Sequence, residues 1–296
     1  MKLLPFSRAR KPARPRIRPQ RMGFEFDPAA VPRYWFANDP VLTHFLNALS
    51  LSFPDGEQFF VDSVRAFRDV VTDPARQKDI SGFIGQEAMH SLEHKGFNDM
   101  LAAQGYGELT GKATGVARYL CNEGRKRFSP RAQLAITAGL EHITAILANA
   151  MLKQPELLAE MDESVRLLWL WHAIEETEHK AVAFDLYRDI DPGYVMRVRA
   201  FLSGSLGLLF FSSAYTWRFL KEDGVHRQPL TLLRGGWRLA RFLGAVVPDY
   251  LDYLRPGFHP WDDDNSALIA RYKQEVLDAI APQYRKEEAP ALVGAA

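Results

Sequence analysis

Apolar residues along this chain recur every three or four positions over long segments, the period of an α-helix, and alternating strand-like runs are sparse. Within residues 54–71 one face collects Phe60, Val61, Val64, Phe67 and Val71, with Glu57 on that same face, until Thr72-Asp73-Pro74 ends the run. Residues 75–104 align Phe83, Glu87, His90, His94, Phe97 and Leu101 at spacings of four, three, four, three and four, and Gly105 follows as a stop. A third helix is predicted over 130–153, opening on Pro130 and carrying Leu134, Ala138, Glu141, Ala145 and Ala148. A fourth, over 155–190, aligns Leu168, Trp169, His172, Glu176, His179, Ala183 and Leu186 before Asp191-Pro192-Gly193. In each of these helices ionisable groups sit where the pattern demands core.

Those groups repeat as a set. Glu87 and His90, and again Glu176 and His179, stand in Glu-x-x-His, which puts a carboxylate and an imidazole one turn apart on one helix face. Each motif follows a helix bearing a lone Glu on its apolar face, Glu57 lying 30 residues before Glu87 and Glu141 lying 35 before Glu176. The chain thus reads as two antiparallel hairpins, each of helix-with-Glu, turn and helix-with-Glu-x-x-His. This is the four-carboxylate, two-histidine set of dimetal helical bundles. An uncompensated carboxylate inside a bundle costs several kcal/mol of desolvation, so four inward glutamates require cations. Two divalent ions balance their charge, and oxygen and nitrogen donors suit iron first, with manganese or zinc as alternatives. His172, one turn before Glu176, is a candidate extra ligand, and His94, one turn after His90, a further one. Each also reads as a hydrogen-bonded core histidine. A metal-bound imidazole donates its second N–H to a partner, for which Asp185 and Glu93 are candidates, while Glu175 and Glu178 are expected to face solvent or neighbouring helices. His142 points off the ligand face and reads as structural.

The stretches FPDGEQFF around Glu57, GQEAMHSLEHKGFN around Glu87 and WHAIEETEHKAVAFDLY around Glu176 resemble a bacterial family described as predicted metal-dependent hydrolases. The resemblance covers about residues 22–280 and implies a ferritin-like fold, with the metal role falling on Glu57, Glu87, His90, Glu141, Glu176 and His179. It does not fix the reaction.

The expected architecture is all-α: a ferritin-like four-helix bundle over 22–193, additional apolar helices over 194–281, a basic disordered tail over 1–21 and a flexible tail over 282–296. Residues 200–217 form an uncharged run between Arg199 and Arg218, and a further apolar segment spans 230–254. Eighteen residues is the lower edge for spanning a membrane, and the serines and glycines inside the run lower its hydrophobicity. It reads either as a buried or partner-facing helix or as one lying at a membrane.

Composition narrows the partners. The first 21 residues carry Lys2, Arg8, Arg10, Lys11, Arg14, Arg16, Arg18 and Arg21 and no acid, whereas the whole 296-residue chain has a net charge of only +1. A basic arm touching anionic lipid follows as one expectation, and nucleic acid is not expected as a partner, because only the basic tail points to it. The single Cys121 cannot close an internal disulfide, which suits a reducing compartment, either the cytoplasm or the inner face of the membrane. The first expectation for function is an O2-dependent di-iron oxygenase or oxidase acting on a small or apolar molecule, with an electron-donor protein and a homodimer as candidate partners. The alternatives are hydrolysis by a two-metal-activated water and metal binding without catalysis.

Overall fold

The computed structural model describes residues 15–190 and 193–288, with side chains through residue 279. Among these residues the fold is all-α, as expected. Ten α-helices are present: α1 (Pro40–Arg65), α2 (Pro74–Leu101), α3 (Gly107–Arg127), α4 (Pro130–Leu152), α5 (Pro155–Ala159), α6 (Glu163–His179), α7 (Val182–Ile190), α8 (Tyr194–Glu222), α9 (Pro229–Asp252) and α10 (Ser266–Glu288).

Helix α1 begins fourteen residues earlier than the sequence pattern suggests. Asp39 caps it by accepting from the N–H groups of Val41 and Leu42, with Pro40 in the first turn where its missing donor is harmless. Pro54 therefore lies inside α1, where it cannot donate to the carbonyl of Ser50. Asn98 Nδ2 of α2 donates to that carbonyl instead, at 3.0 Å. The α1–α2 hairpin turns at Asp73, which caps α2, and α2 ends in a π-turn where Gly105 takes φ +103°, a conformation open to glycine.

The next helix, α3, was not expected. Its buried face is only Thr110, Ala113 and Ala117, too small and too polar to register as an apolar stripe. The segment expected as one helix over 155–190 is divided into α5, α6 and α7. Asp162 caps α6, which ends directly after His179 at Lys180, whose ammonium donates to Asp263 O (2.8 Å) and Asn265 Oδ1 (3.0 Å).

Helices α1, α2, α4 and α6–α7 surround the centre: α1 packs on α2, α4 on α6 and α7, and the hairpins meet through α1 with α4 and α2 with α6. Helix α8 crosses α4 so closely that a Cβ at Gly139 would stand 2.8 Å from Phe201 Cα. Helices α8 and α9 both lie on α1 and α4, and α10 covers α6. Residues 15–21 run along α2, with Ile17 buried; the remainder of the basic segment lies outside the described residues, as do residues 289–296, while α10 continues to Glu288.

Candidate metal centre

Every ionisable group that the periodicity set on a core face is buried. Glu57 comes from α1, Glu87 and His90 from α2, Glu141 from α4, and His172, Glu176 and His179 from α6, none more than 5% exposed. Their polar atoms form two groups compact enough to hold an ion, Glu57 with His90 and His172, and Glu87 with Glu176 and His179, each within 4.8 Å. Glu176 Oε1 joins the two: it lies 3.1 Å from His172 Nε2, 3.4 Å from His90 Nδ1 and 3.7 Å from His179 Nε2. Glu87 Oε1 is 3.1 Å from His179 Nε2 and 3.6 Å from His90 Nδ1, and Glu141 Oε2 is 3.3 Å from His179 Nε2.

The surrounding hydrogen bonds fix which imidazole nitrogen faces the centre. His90 donates from Nε2 to Glu175 Oε2 at 3.1 Å, so Nδ1 faces inward. On the other side Lys273 Nζ donates to Glu178 Oε1 (2.5 Å), Gln86 Nε2 donates to Glu178 Oε2 (3.1 Å), and Gln86 Oε1 is thereby left to accept from His179 Nδ1 (3.0 Å). His179 turns a bare Nε2 inward. The third chain begins at Ser50 O, which can only accept. Asn98 must donate to it through Nδ2, so Asn98 Oδ1 accepts from Ser50 Oγ (2.7 Å). Ser50 Oγ then accepts from His94 Nδ1 (2.8 Å), and His94 Nε2 accepts from His172 Nδ1 (2.7 Å). His172 Nε2 is therefore also unprotonated toward the centre.

Three nitrogen lone pairs and four carboxylates thus converge with no donor among them. Eight atoms of these side chains are buried without a hydrogen-bond partner: Glu57 Oε1, both oxygens of Glu87 and of Glu141, Glu176 Oε2, His90 Nδ1 and His179 Nε2. Such a cluster is satisfied only by cations or by added protons. Without metal, protons serve: burial and the neighbouring carboxylates raise Glu57 well above the usual carboxylate range and Glu141 to about 8. Burial opposes protonation of His90 and His179, but the glutamates facing them outweigh it and hold both well above the ordinary histidine value. Glu176 moves the other way; burial disfavours its charge, yet the imidazoles of His172, His179 and His90 keep it ionised well below the normal range. Burial and His90 lower His172 to about 4. The donor set fits divalent metal.

The remaining expectations resolve unevenly. His94 stands behind His172, not among the inward atoms. Glu93 accepts the backbone N–H groups of Met22, Gly23 and Phe24, anchoring the segment before α1, and Asp185 pairs with His259 at 2.9 Å. The partners actually bonded to His90 and His179 are Glu175, expected against solvent or a neighbouring helix, and Gln86, to which the sequence pattern assigned no role; both lie off the ligand stripe, and only the packing of α2 against α6 brings them to it. His142 is structural, its Nε2 3.0 Å from Asp249 O.

A cavity of about 220 Å³ opens between α3 and α8 and ends at Glu57, His172 and Glu176. Its wall is almost entirely apolar, including Phe53, Phe60, Leu120, Leu140, Leu208 and Phe211. The two hydroxyls along it are occupied locally, Ser52 Oγ donating to Leu49 O and Thr144 Oγ1 to Glu141 O. A smaller apolar cavity on the other side of Leu208 also reaches His172 and Glu176.

No curated protein and no solved structure matches this chain. A family model described as predicted metal-dependent hydrolase matches residues 18–264, a span that holds all seven inward residues and every group that orients them except Lys273, and the chain belongs to that family.

Proposed function

We propose that the bundle is ferritin-like and holds two divalent cations, one by Glu57, His90 and His172 and the other by Glu141 and His179, with Glu87 and Glu176 shared, and that the protein hydrolyses an ester or related acyl bond of a substrate with an apolar chain. The observation that carries this reading is the apolar cavity ending on Glu57, His172 and Glu176; the family's description supports hydrolysis. Bound there, two cations supply a Lewis acid for the carbonyl and lower the pKa of water. The protein's own part is to exclude bulk water, to align the chain along the aromatic wall, and to keep the imidazoles in the tautomer that leaves their inner nitrogens free. The wall offers no spare side-chain N–H or O–H to a developing oxyanion, because both hydroxyls are already bonded.

That same poverty of polar groups favours a second reading, O2-dependent oxidation of an apolar chain by two iron ions with an external electron donor. An oxidised C–H bond needs alignment but no carbonyl recognition, and the all-carboxylate and imidazole donor set suits iron. One experiment separates the two. Protein reconstituted with iron, manganese or zinc is assayed under argon with nitrophenyl esters of increasing chain length, and the ferrous form is assayed for O2 consumption. Hydrolysis under argon that grows with chain length and disappears on chelation is the expected result. Oxygen uptake by the iron form alone, without ester cleavage by any metal form, would reverse the assignment.

A further inference from the structure

Helix α9 is amphipathic in the wrong sense for a helix packed on a globular core. Leu230, Leu233, Trp237, Ala240, Val247 and Leu251 follow one face at spacings of three, four, three, seven and four, and all are exposed, with Leu230 at 75% and Trp237 at 71%. Helix α8 repeats the feature across its uncharged stretch, where Leu202, Leu206, Leu209, Phe210 and Trp217 are exposed and Phe210 reaches 78%. The two helices run antiparallel: Phe201 near the start of α8 packs against Tyr250 near the end of α9, with the rings tilted and 4.6 Å between centroids. Both rest on α1 and α4, so their outer faces turn the same way. The result is one broad apolar surface, larger than a monomer surrounded by water ordinarily leaves open.

The charge around that surface identifies what covers it. Over α8, α9 and the turn between them stand eight arginines and lysines against four acids, Glu222, Asp223, Asp249 and Asp252, in a chain of net charge +1. Asp223 is itself used internally by Arg33, His44 and Tyr106. Arg199, Arg218, Lys221, Arg227, Arg234 and Arg241 are exposed. A second copy of the hairpin would set arginine against arginine, whereas an anionic lipid surface complements them while taking up the leucines and tryptophans. Spanning is excluded for α8, although its length and composition would allow it: its inner face is fixed to the bundle through buried Arg197, Ser212 and Thr216, with Arg197 bonded to Arg255 O at 2.7 Å.

The same face borders the cavity mouth. Gly204, Gly207 and Leu208 of α8 and exposed Leu120 and Phe128 at and beside the end of α3 line it, with Leu206 and Phe210 one position away on α8. We propose that the α8–α9 hairpin docks the protein in the interface of an anionic bilayer, and that the apolar chain of the substrate passes from the lipid into the cavity without crossing water. The docking stands on the hairpin alone; the delivery of substrate rests on the apolar-substrate reading above.

The test is co-sedimentation of the full-length protein with phosphatidylcholine vesicles containing about a third phosphatidylglycerol, beside vesicles of phosphatidylcholine alone. Binding is expected to the anionic vesicles. It should fall roughly tenfold or more in Leu233→Ser/Trp237→Ser and about fivefold for each of Arg234→Gln and Arg241→Gln, with circular dichroism unchanged because all four side chains are exposed. Equal binding by the wild type and the double variant would overturn the proposal. So would loss of binding only on deleting residues 2–14, which would assign the contact to the N-terminal segment. A halving of the particle mass by Leu233→Ser/Trp237→Ser in light scattering, with vesicle binding unaltered, would assign the face to a second copy. Because none of these readouts needs metal or turnover, an inactive enzyme that still binds vesicles would leave the docking intact and remove only the catalytic reading.

Discussion

The two hairpins that build the centre carry the same sequence pattern in unequal surroundings. On the α1–α2 side His90 is backed by a carboxylate, Glu175, and its neighbours Glu57 and His172 form the inner end of the cavity. On the α4–α6 side His179 is backed by the neutral amide of Gln86, and Phe83 closes over its ring at 5.0 Å between centroids. A carboxylate behind an imidazole makes it a more basic ligand than an amide does. On the dimetal reading proposed above, duplicated ligands would therefore not make duplicated metals: the half at the cavity would face substrate and be tuned electrostatically, while the sealed half would hold its ion in place. Glu176 belongs to both, and its replacement breaks the comparison most completely. Glu176→Ala is expected to reduce bound metal from two ions per chain to nearly none by elemental analysis, with activity lost. Glu141→Ala should remove one ion and Glu57→Ala the other, and two full ions in either variant would defeat the assignment of the halves.

The next effect sharpens the difference in backing. Glu175→Gln, which keeps the hydrogen bond and removes the charge, should weaken only the cavity-side ion, by roughly 10- to 100-fold in stepwise metal titration. Gln86→Leu should weaken only the sealed-side ion by a similar factor. Equal losses at both ions in both variants would mean that the centre behaves as one unit.

These backing groups mark where legibility in the sequence ended. The inward residues were readable because burial of charge at helical spacing is costly and the Glu-x-x-His unit recurs with a lone Glu ahead of it. Glu175 and Glu178, each one residue off the ligand stripe, were expected to face solvent or neighbouring helices, and it is neighbouring helices that they meet. The choice between the two rests on α10, whose Lys273 pairs with Glu178, and on the contact of α2 with α6, neither of which shows as a period in the sequence. Helix α3 was invisible for a related reason: a face of Thr110, Ala113 and Ala117 buries too little apolar surface to show as a period.

The metal-free protein offers a third test. Glu57, Glu141, His90 and His179 all bind protons more tightly when folded than when unfolded. Where the native state holds protons that the unfolded chain has released, stability falls as pH rises. For Glu141 that window runs from the ordinary carboxylate value up to about 8. Glu176, shifted down, acts only below it. His94, His142 and His172, all shifted down, oppose this only below the ordinary histidine value, so the melting temperature of the apoprotein should drop by roughly 5 °C or more from about pH 6.5 to pH 8, and saturation with metal should flatten or reverse that slope. An apoprotein equally stable at about pH 6.5 and pH 8 would mean that the cluster is not protonated as its burial requires.

The smallest effect concerns the tautomer of His172, which the structure traces back to a proline. Because Pro54 has no N–H, Ser50 O is free to orient Asn98, and Asn98 through Ser50 and His94 leaves His172 Nε2 bare. Asn98→Leu removes the donor to Ser50 O and the acceptor of Ser50 Oγ, and should cost about 1–3 kcal/mol of stability. The released hydroxyl can then donate to His94 Nδ1, which reverses the chain and puts a proton on His172 Nε2. Pro54→Ala acts more gently, returning an N–H to the helix that competes with Asn98 for the same carbonyl. A proline inside a helix ordinarily costs about 3 kcal/mol. If Asn98 already offsets part of that cost, Pro54→Ala should gain clearly less, while long-range nitrogen–proton spectra show His172 shifting from the Nδ1–H form toward a mixture. A full gain in stability with an unchanged imidazole spectrum would make Pro54 an ordinary kink and would leave the tautomer to be set by the metal alone.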